Sequence, residues 1–101
     1  MAGASEHGTC ALRVDKWLWH ARFFKSRSIA AQAIKGGKIR INGRKPSRAS
    51  AAIRVDDVLT IVRGHHVILV QIQRLGSRRG PAVEATLLYK VLDKSQKTPR
   101  P

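Results

Sequence analysis

The sequence predicts an α+β domain. Two N-terminal helices pack on a small, mostly antiparallel sheet, and a short helix follows near the C-terminus. Three observations predict it. Apolar residues recur at helical spacing through "RVDKWLWHARFF" and again through "SRSIAAQAI". Strict alternation in "KIRIN" and the β-branched runs "VLTIV" and "VILVQIQRL" supply strands. A length of 101 residues with 43% apolar composition allows one small domain with a core of its own.

In the first helix Val14, Trp17, Leu18, Ala21 and Phe24 fall on one face at i, i+3, i+4 and i+7 spacing. Asp15 is placed to accept from backbone N–H groups of the first turn. The opposite face holds Lys16, Trp19, His20 and Phe23, with Arg22 at its flank. Ser26 is expected to cap the second helix through its hydroxyl. Ile29, Ala30, Ala33 and Ile34 form that helix's apolar stripe, and Gly36-Gly37 stops it. The strand that follows turns Ile39 and Ile41 to one side and Lys38, Arg40 and Asn42 to the other. Asn42-Gly43 is the strongest turn signal in the chain.

"RKPSRASAAIRVDD" reads as a loop with a short extended piece, ending in a turn at Asp56-Asp57. Gly64-His65-His66 connects two strands as a hairpin, and "GSRRGP" is a loop. "AVEATLLYKVL" suits a helix through Val83, Leu87 and Val91, or a strand through Thr86, Tyr89 and Val91; a helix is expected. Residues 1–11 and 93–101 are polar and are expected as flexible tails around one domain over 12–92. The expected core is Leu18, Ile29, Ile34, Ile39, Ile41, Val58, Leu59, Ile61, Ile68 and Val70.

Charge is the strongest functional signal. Twenty Lys and Arg oppose six Asp and Glu, a net charge of +14. Self-repulsion of that size favours an anionic partner, and nucleic acid leads because each phosphate contact releases counterions. From Lys16 to Val55 there are eleven basic residues and no acid. A solvated surface normally mixes the signs, so this segregation points to one basic face. Lys25 and Arg27 flank the start of the second helix, whose free N–H groups suit phosphate. Lys38, Arg40 and Asn42 extend that surface, which by its shape suits folded RNA better than a groove-reading helix would.

Other signals are weaker. Trp19 and Phe23 suit either base stacking or packing beneath the segment from Val83 to Tyr89, and packing is expected, with an edge of Trp19 exposed. His65 and His66 have no carboxylate or cysteine cluster beside them, so no metal is expected, and His20 is expected in solvent. Arg78-Arg79 suits a phosphate contact and a soluble loop equally. Cys10 is the single cysteine, which rules out an intrachain disulfide and fits a reducing, cytoplasmic location. No apolar run approaches the roughly 18 residues of a spanning helix, and no signal-peptide pattern opens the chain. A membrane-surface binder would need a long basic amphipathic helix, whereas these cations spread over helix, turn and strand. Carboxylates are few and isolated, so a binding module rather than an enzyme is expected, with no cofactor and no small-molecule substrate.

"RVDKWLWHARFFKSRSIAAQAIKGGKIRING" resembles the alpha-L RNA-binding motif, the domain of ribosomal protein S-four. The elements that carry the resemblance are Arg13 and Asp15, Ser26-Arg27, Ala30 and Ala33, Gly37, Ile39 and Ile41, and Asn42-Gly43. Within that group "DKWLWHARFFKSRS" and "PAVEATLLY" resemble the ribosome-associated heat-shock protein 15 family, over about residues 12–92. The resemblance implies the alpha-L fold and an RNA-binding protein of the large ribosomal subunit. It would act on subunits that carry a stalled nascent chain and transfer RNA, in rescue and recycling. The RNA-facing residues implied are Arg13, Lys16, Arg22, Lys25, Ser26, Arg27, Lys38, Asn42 and Lys45, and Arg40 joins them on the strand's polar side. That family continues into a long charged C-terminal extension, and this sequence ends at Pro101. Alternatives are a nascent-chain elongation factor of ribosome quality control, or an accessory module of an RNA-modifying enzyme. A monomer is expected.

Overall fold

The computed structural model describes residues 11–96. Its elements are β1 (Leu12–Arg13), α1 (Val14–His20), α2 (Arg27–Lys35), β2 (Ile39–Ile41), β3 (Ala52–Ile53), β4 (Val58–Arg63), β5 (His66–Ile72), α3 (Ala82–Ala85) and β6 (Tyr89–Gln96). A 3-10 turn over Thr86–Leu88 joins α3 to β6. Strands β2-β4-β5-β6 form one antiparallel sheet in that order, and β1 pairs with β3 as a separate two-stranded ribbon. The expected α+β architecture holds. The expected flexible segment 1–11 lies almost wholly outside the described residues.

Helix α1 begins without a side-chain cap. Its first amides, of Val14 and Asp15, donate instead to the carbonyls of Ala51 (2.9 Å) and Ala49 (3.4 Å) in the loop before β3. The helix ends at His20, four residues sooner than the periodicity suggests. Phe23 N donates to Leu18 O (3.0 Å) and Arg22 N to Trp19 O (3.1 Å), the paired closure of a Schellman motif. Arg22 takes the left-handed position of that motif, at φ 65°. A non-glycine residue there costs about 1–2 kcal/mol, and no glycine in the sequence announces the stop. The reversal swings Phe23 back against the core, where it is buried. Phe23 and His20 were expected on the wet face; both are buried.

Helix α2 follows the sequence more closely. Ser26 caps it, its Oγ accepting from Ile29 N at 3.1 Å. At its end Gly37 N donates to Ile34 O and Lys38 N to Ala33 O, with Gly37 at φ 78°, where glycine alone is unstrained. Ala30 and Ile34 are buried, but Ile29 is 44% exposed and leaves the expected core. It sits in the first turn of α2.

The Asn42-Gly43 turn forms as expected, with Ile41 and Arg44 exchanging backbone bonds across it. The sheet packs its inner face, Ile39, Leu59, Ile61, Val70 and Ile72, against Val14, Trp17, Leu18, Ala30 and Ile34 of the helices. Each such aliphatic side chain contributes about 1.5–3 kcal/mol when fully buried. Ile53 and Ile72 join this core without having been expected there, while Ile41 and Ile68 are only partly buried.

The C-terminal segment differs most from expectation. The helix holds only for Ala82–Ala85, and Tyr89–Gln96 is a strand. Strand β5 would otherwise present an unpaired edge, and β6 covers it from Ile72↔Tyr89 to His66↔Gln96 with a bulge between Leu69 and Val70. The strand therefore runs past the boundary expected near residue 92.

Candidate nucleic-acid interface

The centre of the basic surface is a buried acid. Asp15 is 3% exposed, and its carboxylate accepts from Arg13 Nε (3.1 Å) and Nη2 (2.9 Å), with Arg27 Nη2 at 3.9 Å. Asp15 does not cap α1; it holds one guanidinium from each side of the α1–α2 connection. The hydrogen bonds that Arg13 donates to Asp15, and then the Asp15 charge, raise the Arg13 pKa above its ordinary value, so Arg13 stays charged. Arg13 and Arg27 keep 50% and 42% of their side-chain surface. Lys25 is exposed and the capping Ser26 half-buried at the start of α2, beside Arg27. Lys16 and Arg27 both lie close enough to His20 for their charges to act on it.

A second group lies where α2 meets β2. Lys38 is exposed, and Lys45 runs past Gly37, whose added Cβ would stand 3.7 Å from Lys45 Cε and Nζ. Lys45 also lines a cleft of about 380 Å³ with Lys35 and Arg48. These last two were not singled out in the sequence, although the acid-free run contains them. Lys16, Lys25, Lys38, Arg40 and Lys45 form no ion pair among the described residues.

Arg40 falls on the strand face that the alternation predicts, and two other expected contacts are bonded within the fold. Arg40 pairs with Thr60 on the sheet face away from buried Ile39. Asn42 is committed to the fold: at φ 51° its Oδ1 accepts from Val58 N (2.9 Å) and its Nδ2 donates to Asp57 Oδ1 (3.1 Å). Arg22 Nε donates to Gly80 O at 2.6 Å, tying the end of α1 to the loop before α3. In that loop Arg78 pairs with Glu84 at 3.1 Å.

His20 supports the surface from below. Its Nδ1 lies 3.3 Å from Leu75 O, and a carbonyl can only accept, so Nδ1 carries the proton of the neutral ring. Nε2 is buried without a partner. Burial lowers the His20 pKa, Leu75 partly offsets this, and Lys16 and Arg27 lower it further. Gly76, at φ 75°, lets the loop come this close: a Cβ there would stand 3.5 Å from Nδ1 and 3.3 Å from Leu88. Trp17 Nε1 donates to neighbouring Arg74 O at 2.9 Å. Packing governs Phe23, whose ring centroid is 4.8 Å from that of Tyr89, while Trp19 is half-buried.

A capped basic helix, a glycine-closed joint and an alternating strand, gathered on one small α+β unit, define an S4-domain module; residues 12–59 match the S4 domain. The chain belongs to the heat shock protein 15 family. It is 41% identical to heat shock protein 15 of Escherichia coli (strain K12) over 78 residues, which cover 77% of this chain and 58% of that protein. It thus spans little more than half the length of that relative. The heat shock protein 15 homolog of Aeromonas salmonicida is 36% identical over 89 residues, covering 88% of this chain and 67% of that protein. The RQC P-site tRNA stabilizing factor of Bacillus subtilis (strain 168) is 32% identical over 81 residues, covering 80% of this chain and 92% of that protein. The solved trimeric structure of Vibrio cholerae heat shock protein 15 superimposes with a TM-score of 0.77 at 35% identity, covering 81% of this chain and 82% of that one.

Proposed function

We propose that the chain is an RNA-binding, ribosome-associated protein. It docks on ribosomal RNA of the large subunit, on particles that carry a stalled nascent chain and transfer RNA. The observation that carries this reading is the Arg13–Asp15–Arg27 cluster, in which one buried carboxylate accepts from Arg13 and ion-pairs with Arg27, both part-exposed, at the edge of the acid-free run. Fixed guanidiniums lose little side-chain entropy on meeting phosphate, and Arg binds it bidentately. Arg13, Lys16, Lys25, Arg27, Lys38, Arg40 and Lys45 contact the RNA backbone, with Ser26 at the open helix start. Asn42 and Arg22 act by positioning, through the turn before β4 and the tie to Gly80. The chain acts as a binder, not an enzyme, in the cytoplasm. Its binding unit is one chain; the Vibrio cholerae relative is described as trimeric, and analytical ultracentrifugation distinguishes the two.

Sedimentation of the tagged protein through a sucrose gradient of cell lysate tests the address. Co-migration with free large subunits, increased by translation stalling, is expected; migration with neither subunit would sink the reading. Arg27→Ala tests the surface. Binding weakens and the slope of log K against log salt falls by about 1, with folding retained. An unchanged affinity and slope would remove Arg27 from the interface.

A second reading, an accessory module packed on another protein domain, has one observation in its favour. Val83 and Leu87, one helical turn apart, are 81% and 57% exposed. A charged pair at those two positions would abolish function under this reading and leave RNA binding intact under the first.

A further inference from the structure

Beyond the α1–α2 surface, the hairpin end of the sheet carries a cavity of about 460 Å³, lined by Phe23, Arg63, His66, Ile68 and Tyr89. Its size falls within the range of small-molecule sites, about 300–1,000 Å³. The composition is divided. Buried Phe23 and half-buried Ile68 and Tyr89 make an apolar wall, while Arg63 and His66 are exposed. A smaller cavity of about 150 Å³ adjoins it, sharing Phe23, Arg63 and Tyr89 and adding Arg22. Among the described residues, no acid lines either one.

The groove is formed by the sheet extending past its helices. Arg63 and His66 are register partners at the tip of the β4–β5 hairpin, two residues beyond Ile61 and Ile68 and on the same face. The Schellman turn at Arg22 sets Phe23 beside Tyr89, and the bond from Arg22 Nε to Gly80 O fixes that wall. Among the described residues, the Arg22 Nη groups have no acceptor.

An aromatic and aliphatic wall suits a flat ring, and a rim of two arginines and a histidine suits an anion. One unit that carries both is a nucleotide. We infer that this groove holds an unpaired nucleotide of the bound RNA, its base against Tyr89 and Ile68 and its phosphate at Arg63 and His66. The inference rests on the RNA-binding reading and adds a contact selective for unpaired RNA, where the α1–α2 surface grips backbone.

Two hairpin RNAs that differ by a single bulged nucleotide test it. The bulged hairpin should shift the Ile68 methyl and Tyr89 ring resonances, and the unbulged one should not. Arg63→Ala, an exposed change that leaves the core intact, should weaken the bulged hairpin about tenfold and leave the unbulged one unaffected. Arg27→Ala should weaken both. Unmoved Ile68 and Tyr89 resonances, or an equal loss for both hairpins in Arg63→Ala, would overturn the groove while leaving RNA binding standing. A wild-type protein that bound neither hairpin would overturn the RNA reading itself.

Discussion

Ser26 lets stability and binding be moved in opposite directions. Its Oγ accepts from Ile29 N at 3.1 Å and is the only side-chain cap at the start of α2. Ser26→Ala leaves that amide to solvent and costs about 1 kcal/mol, the usual value for a lost N-cap. With a urea slope of about 1–2 kcal/mol per molar for a domain of this size, the midpoint falls by about 0.5–1 M. Ser26→Asp keeps the cap, and its charge favours the helix N-terminus by about 0.3–1 kcal/mol. Its midpoint should equal or exceed the wild type. The same charge sits between Lys25 and Arg27, where it repels an approaching phosphate. At about 5–6 Å and an effective dielectric between protein surface and water, that repulsion is about 1–2 kcal/mol, or about 5- to 30-fold in affinity. Paired urea melts and filter-binding titrations at fixed salt, run on both variants, give the readout. Wild-type RNA affinity in the stable Ser26→Asp protein would refute the placement of RNA at this helix start.

Two further outcomes follow from buried groups. Asp15→Ala removes a negative charge from a surface that must attract phosphate, yet it should weaken RNA binding, because Arg13 and Arg27 lose their common anchor. Tighter binding at moderate salt would show that Asp15 only neutralises them. His20 has a folded pKa below its ordinary value, so its contribution is fully present above the unfolded value of about 6.5 and is lost as the pH falls toward and through the folded one. Urea midpoints should decline between about pH 7 and pH 5, and His20→Leu should flatten that decline; a wild-type midpoint constant over this window would count against a buried neutral ring.

What the sequence made legible was local. Ser26, Gly36-Gly37 and Asn42-Gly43 each announce a cap, a stop or a turn through backbone chemistry that acts within a few residues, and each formed. What it hid was long-range. The end of α1 is closed by Arg22 at φ 65°, with no glycine to mark it, so helical periodicity misassigned His20 and Phe23. The C-terminal segment has apolar spacing for a helix, but the open edge of β5 recruits it as a strand. The basic surface was legible as charge segregation. Its organiser was not: Asp15 reaches Arg27 only because α1 and α2 pack together.

Helix α1 and the turn that closes it reach across to one loop three times. Trp17, His20 and Arg22 bond the carbonyls of Arg74, Leu75 and Gly80, groups 57, 55 and 58 residues away in sequence. The segment that matches the S4 domain ends at residue 59. A peptide cut to that segment, or grafted from it onto another scaffold, would carry the arginines but leave an indole N–H, an imidazole N–H and a guanidinium with no acceptor. The recognisable motif is therefore smaller than the transplantable one, and transfer of the binding surface requires the sheet and its loop to travel with it.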